Sequence, residues 1–259
     1  GKLPIFLAER PDGLGERLKA IFSAYTLSRH LGSAFCFAWP YRSHVSSSNF
    51  HAVTDPAAMF SREFLEDHYL TPSEMKSMRP IDAGRLIPEI SRGILPGERV
   101  PFVRVSQNSL QRDLSDSPMK REVLRKVPKE VAAIGFSDAI DHARAAAFSI
   151  KLEKDVDALH LRAGDIVYGK YRFVGNYTTK IVVYPVAIRL IEDAKAKKKD
   201  IILFGQDSAV LNFLKERYDV ILADDLSNGY RFSDAQRAIF DMVLMSRCKT
   251  LLGGSSGFV

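Results

Sequence analysis

Along this chain, short apolar runs alternate with apolar residues spaced three and four apart, and that alternation predicts the elements. Leu3–Ala8 is a short apolar run, read as a buried strand, and the loop Pro11–Gly15 follows it. From Glu16 to Leu31 apolar side chains recur at Leu18, Ile21, Phe22, Tyr25 and Leu27, which predicts an amphipathic helix stopped by Gly32. Ser33–Trp39 reads as a second strand, ended by Pro40. Strand, glycine turn, helix and strand form a βαβ unit with a parallel sheet behind it.

The proline-rich middle, Tyr41 to Lys129, predicts loops and short elements, among them Pro56–Asp67 and Val100–Val105, completing a first domain. An alanine-rich helix with weak breaks, Glu130–Lys151, is expected to lead into a second. Strand Ala158–Leu161, helix Pro185–Ala196, strand Ile201–Phe204 and helix Ser208–Tyr218 follow, then strand Val220–Leu222, helix Ser233–Met245 and strand Thr250–Leu252. This alternation predicts a doubly wound α/β domain. The domains are placed at 1–150 and 151–259.

The 259 residues suit two domains, and 46% hydrophobic residues beside 26% charged ones suit a chain with a real core. No run of about 18 apolar residues is present, which excludes a membrane-spanning helix on sequence grounds. The ends, Gly1 and Val259, fall beside or inside apolar strands, so a trimmed chain that lacks a signal or anchor is one expectation. Cys36 and Cys248 lie in apolar surroundings and read as small buried hydrophobes. A net charge of +6 favours polyanionic partners. Nucleic acid is the weakest of these, because the charges are spread and no nucleic-acid-binding pattern occurs. The densest run, Lys195–Lys199, closes a predicted helix, where cations complement the dipole.

Two segments could hold phosphate. Gly13 and Gly15 lie between a strand and a helix start, where backbone N–H groups and the helix dipole converge. Leu18 stands where a dinucleotide fingerprint needs a third glycine, so the loop is either a simple tight turn or a different phosphate or sugar site. In the second half, His160 and Arg162 alternate with Leu159 and Leu161, so both point to one side of a strand that breaks at Gly164 and presents Asp165. An arginine there either pairs with Asp165 or another carboxylate, or grips a phosphate with its planar fork. Asp207 follows the next strand and serves as a helix cap or a ligand contact. Asp241 is a lone carboxylate in an apolar helix and needs donors, which guanine could supply. The turn Gly253–Gly257, with Ser255 and Ser256, suits phosphate. Asp155-Val-Asp157 is formally a metal-binding D-x-D, but it precedes a strand rather than following one, and no His/Cys set has zinc spacing. No metal site is expected.

Four segments together resemble the GDP-fucose fucosyltransferase superfamily of α-1,2, α-1,6 and protein O-fucosyltransferases. Gly13-Leu-Gly-Glu-Arg-Leu18 is similar to the N-terminal G-x-G loop, and His160-Leu-Arg-Ala-Gly-Asp165 to the H-x-R-R-x-D motif. Ile202-Leu-Phe-Gly-Gln-Asp-Ser208 resembles the second motif, and Phe240–Ser246 with Gly254-Ser-Ser256 the third. The resemblance implies a GT-B-like fold, two Rossmann-like doubly wound domains with a cleft between them. It implies inverting, metal-independent transfer of fucose from GDP-fucose to a glycan hydroxyl, with no cofactor. Arg162 would hold the β-phosphate, His160 and Asp241 would read guanine, Ser255 and Ser256 would bind phosphate, and Gly13 and Gly15 would line the donor sugar. Ala163 replaces the motif's second arginine, Glu16 stands where relatives often have Asn or Asp, and Gly257-Phe258 departs from the usual Ser-Phe-Ser run. Glu16 and Asp165 are the candidates for the base that deprotonates the acceptor.

Another GDP-sugar or nucleotide sugar as donor, or a non-catalytic nucleotide-binding α/β protein, are the alternative readings. The expected setting is cytoplasmic, with peripheral contact to an anionic inner membrane; a trimmed lumenal domain is the alternative.

Overall fold

The structure, a computed structural model, describes residues 4–11, 13–40, 53–82, 102–105, 119–153, 155–162, 182 and 184–254. The chain divides into two compact units and passes from one to the other between Ser137 and Asp138.

In the first unit β1 (Ile5–Ala8) runs into α1 (Leu14–Leu31) and then β2 (Phe35–Ala38). α2 (Arg62–His68), β3 (Tyr69–Leu70), α3 (Pro72–Met75), β4 (Ile81–Asp82), β5 (Phe102–Val105) and α4 (Met119–Ala132) follow. The five strands form one parallel sheet in the order β3-β2-β1-β5-β4. Alternate strand residues divide its core between two faces. Phe6, Phe35, Phe37 and Trp39 face one way, into an aromatic cluster with Tyr25 of α1, Phe60 and Phe64 of α2. Leu7, Cys36 and Ala38 face the other, against Leu70 and Met75. α1 ends as expected at Gly32, whose φ of 67° is the left-handed cap that favours glycine.

The second unit carries α5 (Asp138–Ser149), β6 (Asp157–Leu161), α6 (Tyr184–Ala196), β7 (Ile201–Gly205) and α7 (Ser208–Tyr218). β8 (Ile221–Leu222), α8 (Ala223–Leu226), α9 (Asp234–Ser246) and β9 (Thr250–Gly253) complete it. Its sheet is parallel, in the order β8-β7-β6-β9. Ala158, Ile202 and Phe204 pack against α5 and α9, while Leu159, Leu161, Ile201 and Leu203 pack against α6 and α7. Burial on both faces explains why these strands read as continuous apolar runs. The unit is doubly wound.

Two expectations change. The helix expected over Glu130–Lys151 is two helices, α4 and α5, and α4 takes in residues expected to be loop. The break follows from packing. A Cβ on Gly135 would lie 2.6 Å from Ser61 Oγ, and Ser61 N–H donates to the Gly135 carbonyl at 2.9 Å. Helical continuation there would lose that join to the start of α2. Second, α1 begins at Leu14 rather than Glu16, so Gly13 is its N-cap and Gly15 lies inside its first turn.

Candidate functional site

In an open parallel sheet, ligands collect at the carboxyl ends of the strands where strand order reverses. From β6 the second unit's chain proceeds to β7 and β8 on one side, then returns to β9 on the other. The reversal therefore lies between β6 and β9, with His160 in register with Gly253. Arg162 immediately follows β6, at this crevice. Asp165, Ser255 and Ser256, expected beside it, lie outside the described residues.

The strand period places His160 on the α5/α9 side, opposite Leu159 and Leu161, as the sequence implies. Burial, and then the nearby Arg162 guanidinium, push the His160 imidazole down to about 4. At neutral pH it is an uncharged ring with one donor and one acceptor nitrogen. That pairing suits a ligand with a polar edge beside an anionic group: a neutral ring for the edge, a fixed cation for the charge.

Asp207, after β7, is the N-cap of α7 and accepts from the Val210 N–H at 3.2 Å. Its position at the carboxyl edge is as expected, and the structure gives it the capping role. Gly205 ends β7 where a side chain would crowd β6, since a Cβ there would meet the Leu161 carbonyl oxygen at 2.8 Å.

Asp241 needs correction on one point. It is buried, 7% exposed, but it is not a lone carboxylate. Arg237, one helical turn earlier on α9, donates Nε–H to its Oδ1 at 2.9 Å. Burial pushes the Asp241 carboxyl up to about 6, while Arg237 pulls it back and Asp224 adds to the rise. The sequence carried this signal as a basic and an acidic residue four apart, which share a helix face. Nearby, Tyr230 and Phe232 stack at 5.1 Å, with the His142 ring 5.8 Å from Tyr230 and Phe232 against the buried Phe240.

The first unit has its own reversal, between β1 and β5, and the Gly13 loop leaves the carboxyl end of β1 there. Gly13 carries no side chain to cap α1, so the first-turn N–H groups face outward from the helix start. Glu16 sits in that turn, and its Oε2 is shielded from solvent with no hydrogen bond among the described residues. Arg17 was not singled out in the sequence. It is 3% exposed, lies 4.1 Å from the Trp39 ring centre and donates to the Val53 carbonyl at 2.9 Å. Trp39 Nε1–H donates to the same carbonyl at 2.9 Å. Glu9, just past β1, is paired with Arg104 of β5 at 2.7 Å.

The D-x-D carboxylates lie at the other, amino end of β6, and each has a lysine: Asp155 with Lys249, Asp157 with Lys199 at 3.2 Å. Among the described residues no group of three or more His, Cys, Asp or Glu side chains could hold a metal ion. No helix among them is long and apolar enough to cross a membrane. Cys36 and Cys248 are free thiols, pushed by burial up to about 12 and about 11.

No protein-family profile matches the chain, and no curated protein matches it in sequence. Solved structures do match in fold. Fucosyltransferase NodZ from Bradyrhizobium is 17% identical, with 100% of this chain and 92% of that one covered and a TM-score of 0.52. NodZ α-1,6-fucosyltransferase soaked with GDP-fucose gives 15% identity, 99% and 90% coverage and a TM-score of 0.53. An Arabidopsis thaliana FUT1 mutant in complex with GDP gives 11% identity, 100% and 67% coverage and a TM-score of 0.55. The chain has the fold of these fucosyltransferases.

Proposed function

We propose that the chain is a glycosyltransferase that moves fucose from GDP-fucose to a glycan hydroxyl, with inversion and without a metal. The observation that carries this reading is the placement of Arg162 and a neutral His160 together at the strand-order reversal of the second unit's sheet. The fold neighbours, one soaked with GDP-fucose and another in complex with GDP, support the donor.

The first unit is assigned to the acceptor and the second to the donor nucleotide, as in a GT-B-like enzyme. The acceptor hydroxyl attacks fucose C1 from the face opposite the diphosphate. Its proton passes to a carboxylate, and the C1–O bond breaks with both electrons leaving on GDP. Arg162 neutralises the charge that develops on the β-phosphate, an effect strongest where donors are fixed in advance. His160 and Asp241 read guanine, Ser255 and Ser256 hold phosphate, and Asp207 closes the nucleotide end. Gly13 and Gly15 let the donor sugar approach the backbone. Glu16, whose Oε2 is shielded and has no hydrogen bond among the described residues, and Asp165 are the two candidates for that base. The net charge of +6 suits work in the cytoplasm beside an anionic membrane, where lipid-linked acceptors reside.

A screen of GDP-sugars, read by GDP release, tests the donor. GDP-fucose is expected to give the highest turnover. Faster release from another GDP-sugar would replace fucose, and GDP binding without turnover on any of them would leave a binding protein.

A further inference from the structure

Arg237 lies early in α9, and each nitrogen of its guanidinium engages a different residue. Nε–H donates to Asp241 Oδ1 at 2.9 Å, Nη1 to Ser227 Oγ at 2.9 Å, and Nη2 to Asp224 Oδ1. Ser227 is buried and donates in turn to the Asp224 carbonyl at 3.0 Å. Asp224 belongs to α8 and Ser227 is its C-cap, at the corner after β8, on the carboxyl edge of the sheet. The orientation of the guanidinium is thus set from two elements.

Stability does not account for this arrangement. With the basic residue first, a pair four apart on a helix is the weaker order. A buried ion pair also contributes little compared with apolar side chains filling the same space. Arg237 engages one Asp241 oxygen, and among the described residues Oδ2 has no donor. The charged groups acting on Asp241 are Arg237 and Asp224; α5, which packs along α9, contributes Ala143, Ala146 and Ala147 to the shared core. Arg237 is therefore what holds a buried carboxylate ionised, against burial and against Asp224.

We propose that Arg237 is a positioning residue: it fixes the plane of the Asp241 carboxylate so that one oxygen accepts N–H donors from the nucleobase of the donor substrate. The inference rests on the nucleotide reading above. A base presenting N–H groups on its pairing edge is selected; one presenting a bare ring nitrogen opposite Oδ2 is rejected, because two acceptors then meet without a proton.

Calorimetry with GDP and ADP on wild type, Arg237→Met, Arg237→Lys, Asp241→Asn and the Met/Asn double variant tests it. Arg237→Met is expected to weaken GDP binding by about tenfold or more while leaving ADP binding as it was. Arg237→Lys, which keeps the charge without the fork, should recover part of the loss and guards against a folding defect. In the Asp241→Asn background the Met substitution should add little, since Arg237 acts through Asp241. Unchanged GDP affinity in Arg237→Met, or fully additive losses, overturns the proposal. If wild type binds no nucleotide, the functional reading fails and carbon-13 titration of the Asp241 carboxyl decides the positioning alone. A midpoint raised in Arg237→Met supports it, and an unmoved midpoint overturns it.

Discussion

Gly205 stands opposite Leu161 in the β6–β7 ladder, so close that a Cβ on it would lie 2.8 Å from the Leu161 carbonyl oxygen. That carbonyl immediately precedes Arg162. The glycine of the Phe204-Gly205-Gln206-Asp207 segment is thus required by the strand carrying the proposed phosphate-binding arginine. Gly205→Ala must push the end of β6 aside, at a cost of about 1–3 kcal/mol by urea denaturation. Turnover of GDP-fucose should fall more than the stability loss implies. Full activity with a native unfolding midpoint would show that the β6 end does not need this packing.

Arg162→Ala should lower turnover about a hundredfold or more, the scale of losing one preorganised donor at a site of developing charge. The thermal midpoint should change little. A large fall in stability instead, with activity retained, would place Arg162 in a structural ion pair.

His160 and Asp241 make opposing contributions to acid stability. His160 titrates at about 4 in the fold against an ordinary 6.5, so protonation in the unfolded chain draws the equilibrium toward unfolding as pH falls from 6.5 to 4. Asp241 titrates at about 6 against 3.8, so the fold takes up its proton first and gains stability as pH falls from 6 to 3.8. The two offset one another between pH 6 and 4. Urea midpoints measured across this range should fall more steeply with acid in Asp241→Asn than in wild type. Parallel profiles would mean that one of the two groups is not buried in this way.

Arg17 and Trp39 share the Val53 carbonyl as acceptor, and the guanidinium lies 4.1 Å from the indole centre. Arg17→Met should destabilise the protein by about 2–3 kcal/mol, from a lost buried hydrogen bond and a lost cation–π contact. Trp39 is the chain's one tryptophan, so its fluorescence reports the change directly, with a red-shifted emission in the variant. An unshifted spectrum and an unchanged midpoint would refute a structural role for the pair.

Much of the fold was legible along the chain because β6 and β7 are buried along nearly their whole length and α6, α7 and α9 each carry an apolar face. β6, β7, α7 and α9 stand within a residue or two of their expected bounds. The side chosen by His160 also followed from period alone. The division at Gly135 was legible only as a weak local break; what fixes it there is Ser61, 74 positions earlier, whose hydroxyl stands where a side chain at 135 would go. Asp241 was readable as a buried carboxylate but its partner was passed over, although Arg237 stands one turn away. Arg17 gave no signal, since a helix's first turn normally leaves an arginine in water.

The amino-acid sequence by itself determined the alternation of strands and helices, the glycine turn before α1 and the side of β6 on which His160 lies. These follow from local periodicity and backbone freedom, which neighbouring residues settle among themselves. Only the tertiary structure decided the strand orders β3-β2-β1-β5-β4 and β8-β7-β6-β9, and with them the crevice at which Arg162 emerges. It also decided that the buried Asp241 is held by Arg237, whose guanidinium reaches Ser227 and Asp224 as well. Strand order and ion partnership depend on which distant surfaces pack together, a choice made by burial over the whole domain rather than within any one segment.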